Sequence, residues 1–121
     1  MDRKPESLTP ETFEKWKAFD DAMKVIGLEY KLTCTRRTQE EQDALYAQGR
    51  TKPGPIVTWT HQSRHIKGEA FDIVIIKNGK AYWSDITAYH RAGKLGELAG
   101  LDWGGRWHKP DYPHFELRRK K

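Results

Sequence analysis

Two short segments carry histidines and carboxylates in a pattern that can hold a metal ion. In the first, Asp72 lies inside an otherwise apolar stretch, and His65 precedes it in the chain. In the second, Asp111 precedes His114, with Pro113 between them. Catalytic zinc sites commonly use two histidines and one carboxylate as ligands and leave one coordination position open. The remaining carboxylate would then be a general base that takes a proton from an activated water molecule.

The same residues also have a simpler interpretation. A carboxylate buried in an apolar strand costs several kcal/mol unless a cation compensates its charge. Asp72 could therefore form a salt bridge with Arg64 or Arg37. The histidines of the two segments would then be ordinary half-buried side chains. Residue spacing alone leaves both interpretations open.

The composition excludes some kinds of stabilising site and some kinds of binding partner. The chain has 121 residues and one cysteine, Cys34, which excludes an internal disulfide framework and a cysteine-rich zinc site. We expect Cys34 to be a small buried residue rather than a nucleophile. The 22 lysines and arginines exceed the 17 aspartates and glutamates, and the net charge of +5 favours an anionic partner. Because no basic stripe is interleaved with aromatic residues, we expect no nucleic-acid partner.

Length and hydropathy indicate one domain without a membrane span. The longest apolar run, residues 73–76, is too short to cross a bilayer. Residues 1–5 lack the apolar stretch of a secretory signal. We expect a single monomeric domain over residues 1–121, with its core at about 10–117 and a solvated basic tail at 118–121.

Local patterns predict the elements that must position the candidate ligands. We predict the helices from their capping residues and helical periodicity. We predict the strands from the alternation of apolar residues and from an Asn-Gly hairpin signal. In order, they are a helix from Thr9 to Gly27, a strand over 28–34, a helix from Thr38 that Gly49 closes, a loop over 49–64, a strand over 70–76, a return strand over 81–83, a helix from Ser84 or Asp85 to about 99–100, and a strand at about 114–117. This order predicts an α+β fold with a small antiparallel sheet and flanking helices.

The motifs resemble those of one peptidase family. Residues 63–72, SRHIKGEAFD, are similar to the SxHxxGxAxD signature of the zinc D-Ala-D-Ala carboxypeptidases and L-alanyl-D-glutamate endopeptidases, a family that includes VanY- and VanX-like enzymes. Residues 111–117, DYPHFEL, resemble its second motif, D/E-x-x-H-F-E-L. Residues 103–107, WGGRW, and residues 37–51 resemble elements of its endolysin-like branch. The resemblance covers about residues 10–117.

The resemblance implies a hedgehog/DD-peptidase-like fold and a set of site residues. It implies that one Zn²⁺ per chain is held by His65, Asp72 and His114. It also implies that Asp111 is the catalytic acid and base and that Arg37 contacts the substrate carbonyl. Supporting roles near the metal or the substrate are expected for Ser63, Glu116, His108 and Trp107.

The implied function is a zinc metallopeptidase that hydrolyses the peptidoglycan stem peptide, at the L-Ala–D-Glu bond, as a phage endolysin. Such a protein would be made in the host cytoplasm without a signal peptide and would reach the wall in the periplasm through a holin. One alternative is a D,D- or L,D-carboxypeptidase in wall remodelling, in which Arg36 or Arg106 binds the terminal carboxylate. Another is a non-catalytic peptidoglycan-binding module of the same fold.

Overall fold

The structure, a computed structural model, describes residues 1–119 and combines one antiparallel sheet with three α-helices. The helices are α1 (Pro10–Ile26), α2 (Gln39–Ala47) and α3 (Ile86–Leu98). The strands are β1 (Tyr30–Cys34), β2 (Ala70–Lys77), β3 (Lys80–Tyr82), β4 (Leu101–Trp103) and β5 (His114–Leu117). Short 3-10 helices cover Pro5–Ser7, Arg64–Lys67 and Gly104–Arg106. This architecture confirms the predicted α+β class.

Strand β2 is the centre of the sheet. The strand order is β1-β2-β5-β4, every neighbouring pair is antiparallel, and β3 pairs with β2 beyond the end of β5. The run of Val and Ile in β2 suits a strand that has neighbours on both sides. The β2–β3 hairpin turns at Asn78 and Gly79, whose φ values of 52° and 75° match the turn that an Asn-Gly pair favours.

The two faces of the sheet have different chemistry. One face is apolar and packs against α1 and α3, which together enclose the core. Its buried sheet residues are Phe71, Ile73, Ile75, Leu101, Trp103 and Phe115. The alternate residues of the same strands point to the opposite face, as the strand pleat requires. That opposite face carries Asp72, His114 and Glu116, and we call it the site face.

The helix caps are those that the sequence predicts. Thr9 caps α1 through its side chain, and Gly27 ends that helix in the left-handed conformation with φ 70°. Thr38 and Glu41 form both hydrogen bonds of a capping box at the start of α2. These caps fix where each helix begins relative to the sheet.

Several predicted boundaries are wrong. β1 begins at Tyr30 rather than at residue 28, and α2 ends at Ala47 rather than at Gly49. Gln48 is the C-cap of α2, and Gly49 instead lies in the next turn with φ 80°. The sequence analysis also missed β4 and the 3-10 helix at Arg64–Lys67. Both are too short to carry a periodic signal, and β4 forms because β5 offers it a pairing edge.

Arg118, the first residue of the predicted basic tail, is exposed but is hydrogen-bonded to the domain. The Arg118 guanidinium donates hydrogen bonds to the Asp102 carboxylate and to the carbonyls of Glu97 and Leu101. Residues 120 and 121 of the predicted tail lie outside the described part of the chain. Across residues 1–119, no helix has the length and apolar character needed to cross a bilayer.

Candidate active site

A cluster of polar side chains lies at the centre of the site face. Asp72 of β2 and His114 of β5 are cross-strand partners, so their side chains leave the sheet side by side. The Nδ1 of His114 lies 3.0 Å from Oδ1 of Asp72. The Nε2 of His65 lies 3.2 Å from Oδ2 of the same carboxylate. The two imidazole rings are 5.1 Å apart at an angle of 79°. The structure therefore brings together all three predicted metal ligands.

The 3-10 helix at Arg64–Lys67 delivers His65 to this cluster. Ser63 precedes it, and its hydroxyl accepts a hydrogen bond of 3.2 Å from the His65 backbone N–H. Gly68 ends the helix with φ 71° and turns the chain into β2. A side chain at Gly68 would also press on the backbone carbonyl of Ser7. Ser63 and Gly68 thus set the position of His65 through the backbone.

Glu116 holds the far side of the His114 ring. Its Oε1 lies 2.9 Å from Nε2 of His114, which leaves Nδ1 facing Asp72. Arg64 in turn lies 3.2 Å from the other oxygen of Glu116 and 3.4 Å from Glu69. A histidine that binds a metal through one nitrogen usually donates its other N–H to such a carboxylate. This contact defines the ring orientation and supports the expected role of Glu116.

The electrostatics of the cluster follow from burial and close charge pairs. Burial alone would raise the pKa of Asp72, but His114 and His65 outweigh it and hold that pKa well below the usual range. Burial alone would lower the pKa of His114, but Asp72 and Glu116 outweigh it and raise the pKa to about 9. His114 therefore carries a proton at neutral pH in the metal-free protein, and a cation that binds Nδ1 must displace it.

The loop before β5 places Asp111 at the wall of the cluster. The Asp111 N–H donates a 2.9 Å hydrogen bond to the Gly104 carbonyl, and the His114 N–H donates to the Asp111 carbonyl. Any side chain at Gly104 would collide with the Asp111 backbone, which explains a glycine there. Partial desolvation by the cleft walls and the nearby Asp72 charge raise the pKa of Asp111. A carboxylate with a raised pKa is better suited to accept and return a proton near neutral pH.

Arg37, rather than Arg36, points into the site. The Arg37 guanidinium donates a 2.6 Å hydrogen bond to Gln42 and lies 3.9 Å from Asp72. Its backbone N–H donates to the His65 carbonyl, which ties it to the histidine. The Arg36 side chain instead reaches the backbone carbonyl of Ser7, at 3.5 Å. The bulge in β1 between Leu32 and Cys34 precedes this division of the two arginines.

The cluster opens into a cleft of about 650 Å³ that crosses the site face from β1 to β4. His65, Asp72, Asp111 and His114 line its middle, and Ser63, Arg37, Glu116 and Trp107 also line it. The Trp107 ring lies 5.0 Å from the His114 ring. His108 is exposed and lies outside the cleft lining, and so do Arg36 and Arg106. Arg106 instead pairs with Glu97 of α3 at 2.8 Å.

The donor set fits a divalent metal. The buried Nε2 of His65 makes no hydrogen bond to any residue of the described chain, although it lies next to Asp72. An orphaned imidazole nitrogen beside a carboxylate is costly unless another partner binds it. Two imidazoles and a carboxylate are donors that zinc accepts. These residues are therefore compatible with a metal ion among them.

Cys34 is a neighbour of this set that the sequence analysis did not include. Its thiol lies 3.6 Å from Nδ1 of His65 and 3.6 Å from the Arg37 guanidinium. Donor atoms of Cys34, His65 and Asp72 all lie within 4.8 Å of one another. Burial raises the pKa of Cys34 to about 11, so the thiol stays protonated in the metal-free protein. Cys34 is buried, as expected, but it also touches a candidate ligand.

Comparisons with known proteins agree with this geometry. A family profile of the M15 peptidases, described as D-alanyl-D-alanine carboxypeptidase, matches residues 57–117. The peptidoglycan L-alanyl-D-glutamate endopeptidase CwlK of Bacillus subtilis is 32% identical over 93% of this chain and 75% of its own length. This chain belongs to the M15 peptidase family. It is therefore a metallopeptidase.

Two further known proteins are similar to this M15 peptidase. The L-alanyl-D-glutamate peptidase of Escherichia phage T5 is 34% identical over 48% of this chain and 47% of its own length. The crystal structure of the Serratia marcescens L-Ala D-Glu endopeptidase ChiX superposes with a TM-score of 0.77, at 21% identity, and covers 94% of this chain and 83% of that one. The second likeness confirms the predicted fold.

Four contacts of the M15 peptidase site were beyond sequence reasoning. The Arg37 side chain hydrogen-bonds to Gln42, and the Arg64 side chain hydrogen-bonds to Glu116. The absence of a side chain at Gly104 leaves room for the Asp111 backbone, and the Cys34 thiol lies next to His65. Arg64 and Glu116 are distant in the chain, as are Cys34 and His65, and Gly104 lies in a segment without a periodic signal. Gln42 is close to Arg37 in the chain, but no local pattern predicts that their side chains meet. The only local signal was the glycine pair after Trp103, because glycine is favoured where two backbones approach closely.

Proposed function

We propose that this M15 peptidase is a zinc-dependent endopeptidase that hydrolyses the L-Ala–D-Glu bond of the peptidoglycan stem peptide. The observation that carries the proposal is the course of the cleft. It passes over the His65–Asp72–His114 cluster and continues on both sides of it, towards β1 and towards β4. An endopeptidase must hold substrate on both sides of the bond that it cuts. The L-alanyl-D-glutamate peptidase activities of the CwlK and phage T5 relatives support the choice of bond.

The metal would be held by three side chains. We assign His65 through Nε2, Asp72 through its carboxylate and His114 through Nδ1, because these atoms already face one another. A zinc ion held there would supply Lewis-acid activation of water and of the peptide carbonyl. Glu116 keeps Nε2 of His114 engaged, so that Nδ1 stays available.

Asp111 and Arg37 supply the proton transfer and the charge stabilisation. The Asp111 carboxylate takes a proton from the attacking water and returns it to the nitrogen of the leaving amine. The Arg37 guanidinium stabilises the negative charge that develops on the scissile carbonyl oxygen. Gln42 is fully buried and hydrogen-bonds to Arg37. Because the Arg37 side chain is already ordered, substrate binding need not order it at a loss of conformational entropy.

A D,D- or L,D-carboxypeptidase is the second candidate, because the matching family profile is described by that activity. A carboxypeptidase needs a cation for the terminal carboxylate of its substrate. Neither Arg36 nor Arg106, the two residues expected to supply it, lines the cleft. The two residues expected to bind a terminal carboxylate are therefore not placed to do so, and the preference for the endopeptidase rests on the course of the cleft and on the activities of the CwlK and phage T5 relatives.

Mass spectrometry of digested sacculi tests the activity. Purified Gram-negative sacculi incubated with the zinc-loaded protein should release fragments with a new N-terminal D-Glu, and a chelator should stop the release. Loss of only a terminal D-Ala would instead assign the carboxypeptidase. Absence of any product, with one zinc bound per chain, would favour the non-catalytic binding module.

A variant pair tests the role of Asp111. Asp111→Asn should lower turnover by about 10²–10⁴-fold, as loss of a general base does, while one zinc stays bound. Asp21→Asn removes the same charge from the exposed side of α1 and should leave turnover unchanged. Near-normal turnover in Asp111→Asn would contradict the assignment.

For the biological role, we propose wall lysis as a phage endolysin that reaches the periplasm from the host cytoplasm. The partial similarity to the phage T5 peptidase supports this role. Cytoplasmic expression in a Gram-negative host should leave the cells intact, whereas co-expression of a holin should lyse them. Equal growth of holin-expressing cells with the active protein and with Asp111→Asn would contradict a lytic role.

A further inference from the structure

The cleft has two chemically different arms on either side of the cluster. The arm towards β1 and α2, which we call the neutral arm, is lined by Thr33, Leu45, Val57, Thr58, Thr60 and Gln62. The arm towards β4, which we call the charged arm, is lined by Arg64, Trp83, Asp102, Glu116 and Arg119. The sheet order places these arms at opposite edges, because β1 and β4 are its two outer strands. A substrate with one neutral end and one charged end would therefore bind in one orientation.

Among the described residues, ion pairs neutralise every cation that lines the charged arm except Arg119. Arg64 pairs with Glu116 and Glu69, so its charge is neutralised within the protein. Asp102 pairs with Arg118. Arg119 forms no ion pair and no hydrogen bond with any residue in the range 1–119 that the structure describes. Among residues 1–119, Arg119 is thus the cation of the charged arm that has no ion-pair or hydrogen-bond partner.

The other cations of the cleft are already engaged. Arg37 is held by Gln42 and lies close to Asp72. The amino group of Met1, another residue of the lining, pairs with Glu41 at 3.1 Å. An anionic group of the substrate would therefore find its available cation at Arg119.

The stem peptide has such an anionic group next to the bond in question. D-Glu is joined to the next residue through its γ-carboxyl, so its α-carboxylate stays free, one residue beyond the L-Ala–D-Glu bond. The muramyl side of the bond carries neutral hydroxyl and amide groups. A guanidinium matches a carboxylate with two parallel hydrogen bonds, and an amide in place of the carboxylate loses the charge.

We propose that Arg119 binds the free α-carboxylate of D-Glu and so seats the stem peptide with D-Glu in the charged arm and the muramyl end in the neutral arm. The proposal rests on the endopeptidase function proposed above. It makes the preferred substrate a stem peptide whose D-Glu is not amidated. Arg119 is thereby a specificity-determining residue rather than part of the proton-transfer machinery.

Paired substrates test this assignment. Muramyl tripeptides with a D-Glu α-carboxylate and with the α-carboxamide in its place are cleaved by the zinc-loaded full chain, and kcat and KM are measured for each. The wild type should prefer the acid by about tenfold, the lower range for a hydrogen bond to a charged group. Arg119→Gln should raise KM for the acid by about tenfold and leave both kcat and the amide kinetics unchanged. Arg119→Lys should restore part of the preference.

The control variant is Arg91→Gln, which removes the same charge from an exposed position of α3 outside the cleft. It should keep the full preference for the acid. If Arg119→Gln weakens both substrates equally, or neither, the assignment of Arg119 to the D-Glu carboxylate is wrong, while the endopeptidase function stands. If the wild type cuts neither substrate at the L-Ala–D-Glu bond, the proposed function fails and the role of Arg119 fails with it.

Discussion

Phe71 and Asp72 are adjacent in β2, yet Phe71 lies on the apolar core face of the sheet and Asp72 lies on the polar site face. Phe71 is fully buried on the core face, where its ring stacks on Phe115 at 5.3 Å and lies near Phe19 at 5.6 Å. Asp72 is on the site face, among imidazoles and a guanidinium. Because strand residues alternate, one strand contributes both to folding and to chemistry. Core packing and site chemistry are therefore assigned to neighbouring residues of the same strand.

The two faces also differ in how well their groups are satisfied. The core face gains from removing apolar area from water, and the one polar side-chain atom of its buried sheet residues, Nε1 of Trp103, donates a hydrogen bond to the Tyr112 carbonyl. The site face buries charged groups, whose desolvation is offset only by their mutual contacts. One of its atoms, Nε2 of His65, has no hydrogen-bond partner in the described chain. The core face is therefore built for stability, whereas the site face holds polar groups ready for a ligand.

The largest effect should come from neutralising the site-face residue of this pair. Asp72→Asn keeps the side-chain shape but removes the charge that faces both histidines, so turnover should fall by more than about 10³-fold with loss of a metal-ligand charge. Zinc content measured after dialysis should fall from one per chain towards zero, while circular dichroism stays unchanged. Retention of one tightly bound zinc would contradict the ligand assignment.

The corresponding substitution on the core face, Phe71→Ala, should lower the stability of the fold. Phe71→Ala removes a fully buried ring from the aromatic cluster and should lower the free energy of unfolding by about 3–5 kcal/mol. Urea denaturation of the metal-free protein measures this loss. The fraction that remains folded should still bind zinc, because the site residues are untouched. A larger loss of stability in Asp72→Asn than in Phe71→Ala would contradict the division between the faces.

A smaller effect should follow from weakening the support of His114. Glu116→Gln keeps a hydrogen-bonding group beside Nε2 but removes its charge, and zinc affinity should fall by about 10–100-fold. Competition with a metal-binding dye measures the affinity. Glu69→Gln is the matched control, because Glu69 also pairs with Arg64 but does not touch His114. Equal losses in the two variants would point to Arg64 instead of Glu116.

The smallest effect should come from Cys34. Its thiol faces Nδ1 of His65, whereas the assigned metal nitrogen is Nε2. Cys34→Ser should therefore keep one zinc per chain and change turnover by no more than about threefold, as a lost weak contact does. The cobalt-substituted wild type should show no sulfur-to-metal charge-transfer band. Such a band, absent from Cys34→Ser, would add the thiol to the ligand set.

The sequence predicted the long helices and strands well, for a physical reason. Helix caps such as Thr9 and the Asn-Gly turn act over a few residues, so their signals are local. Two of the candidate ligands, His65 and Asp72, also come from one continuous segment, so their spacing was visible in the sequence. β4 was missed because three residues carry no period, and its pairing depends on β5.

The choice among arginines was decided only by the folded chain. Arg36 and Arg37 are neighbours in the sequence, and the tertiary structure turns one to the Ser7 carbonyl and the other into the cleft. Arg106 stood out in the sequence but pairs with Glu97 on α3. Arg119 did not stand out, because a terminal basic residue has no local pattern.

Local sequence patterns define which side chains alternate between the two faces, where the helices start, and which residue types are available as metal donors. These follow from backbone geometry and side-chain chemistry, which act over a few residues. Which distant groups meet, such as Glu116 with Arg64 or Cys34 with His65, was visible only in the folded chain. Such contacts depend on strand register and loop closure, and these are set by the packing of the whole chain against one core.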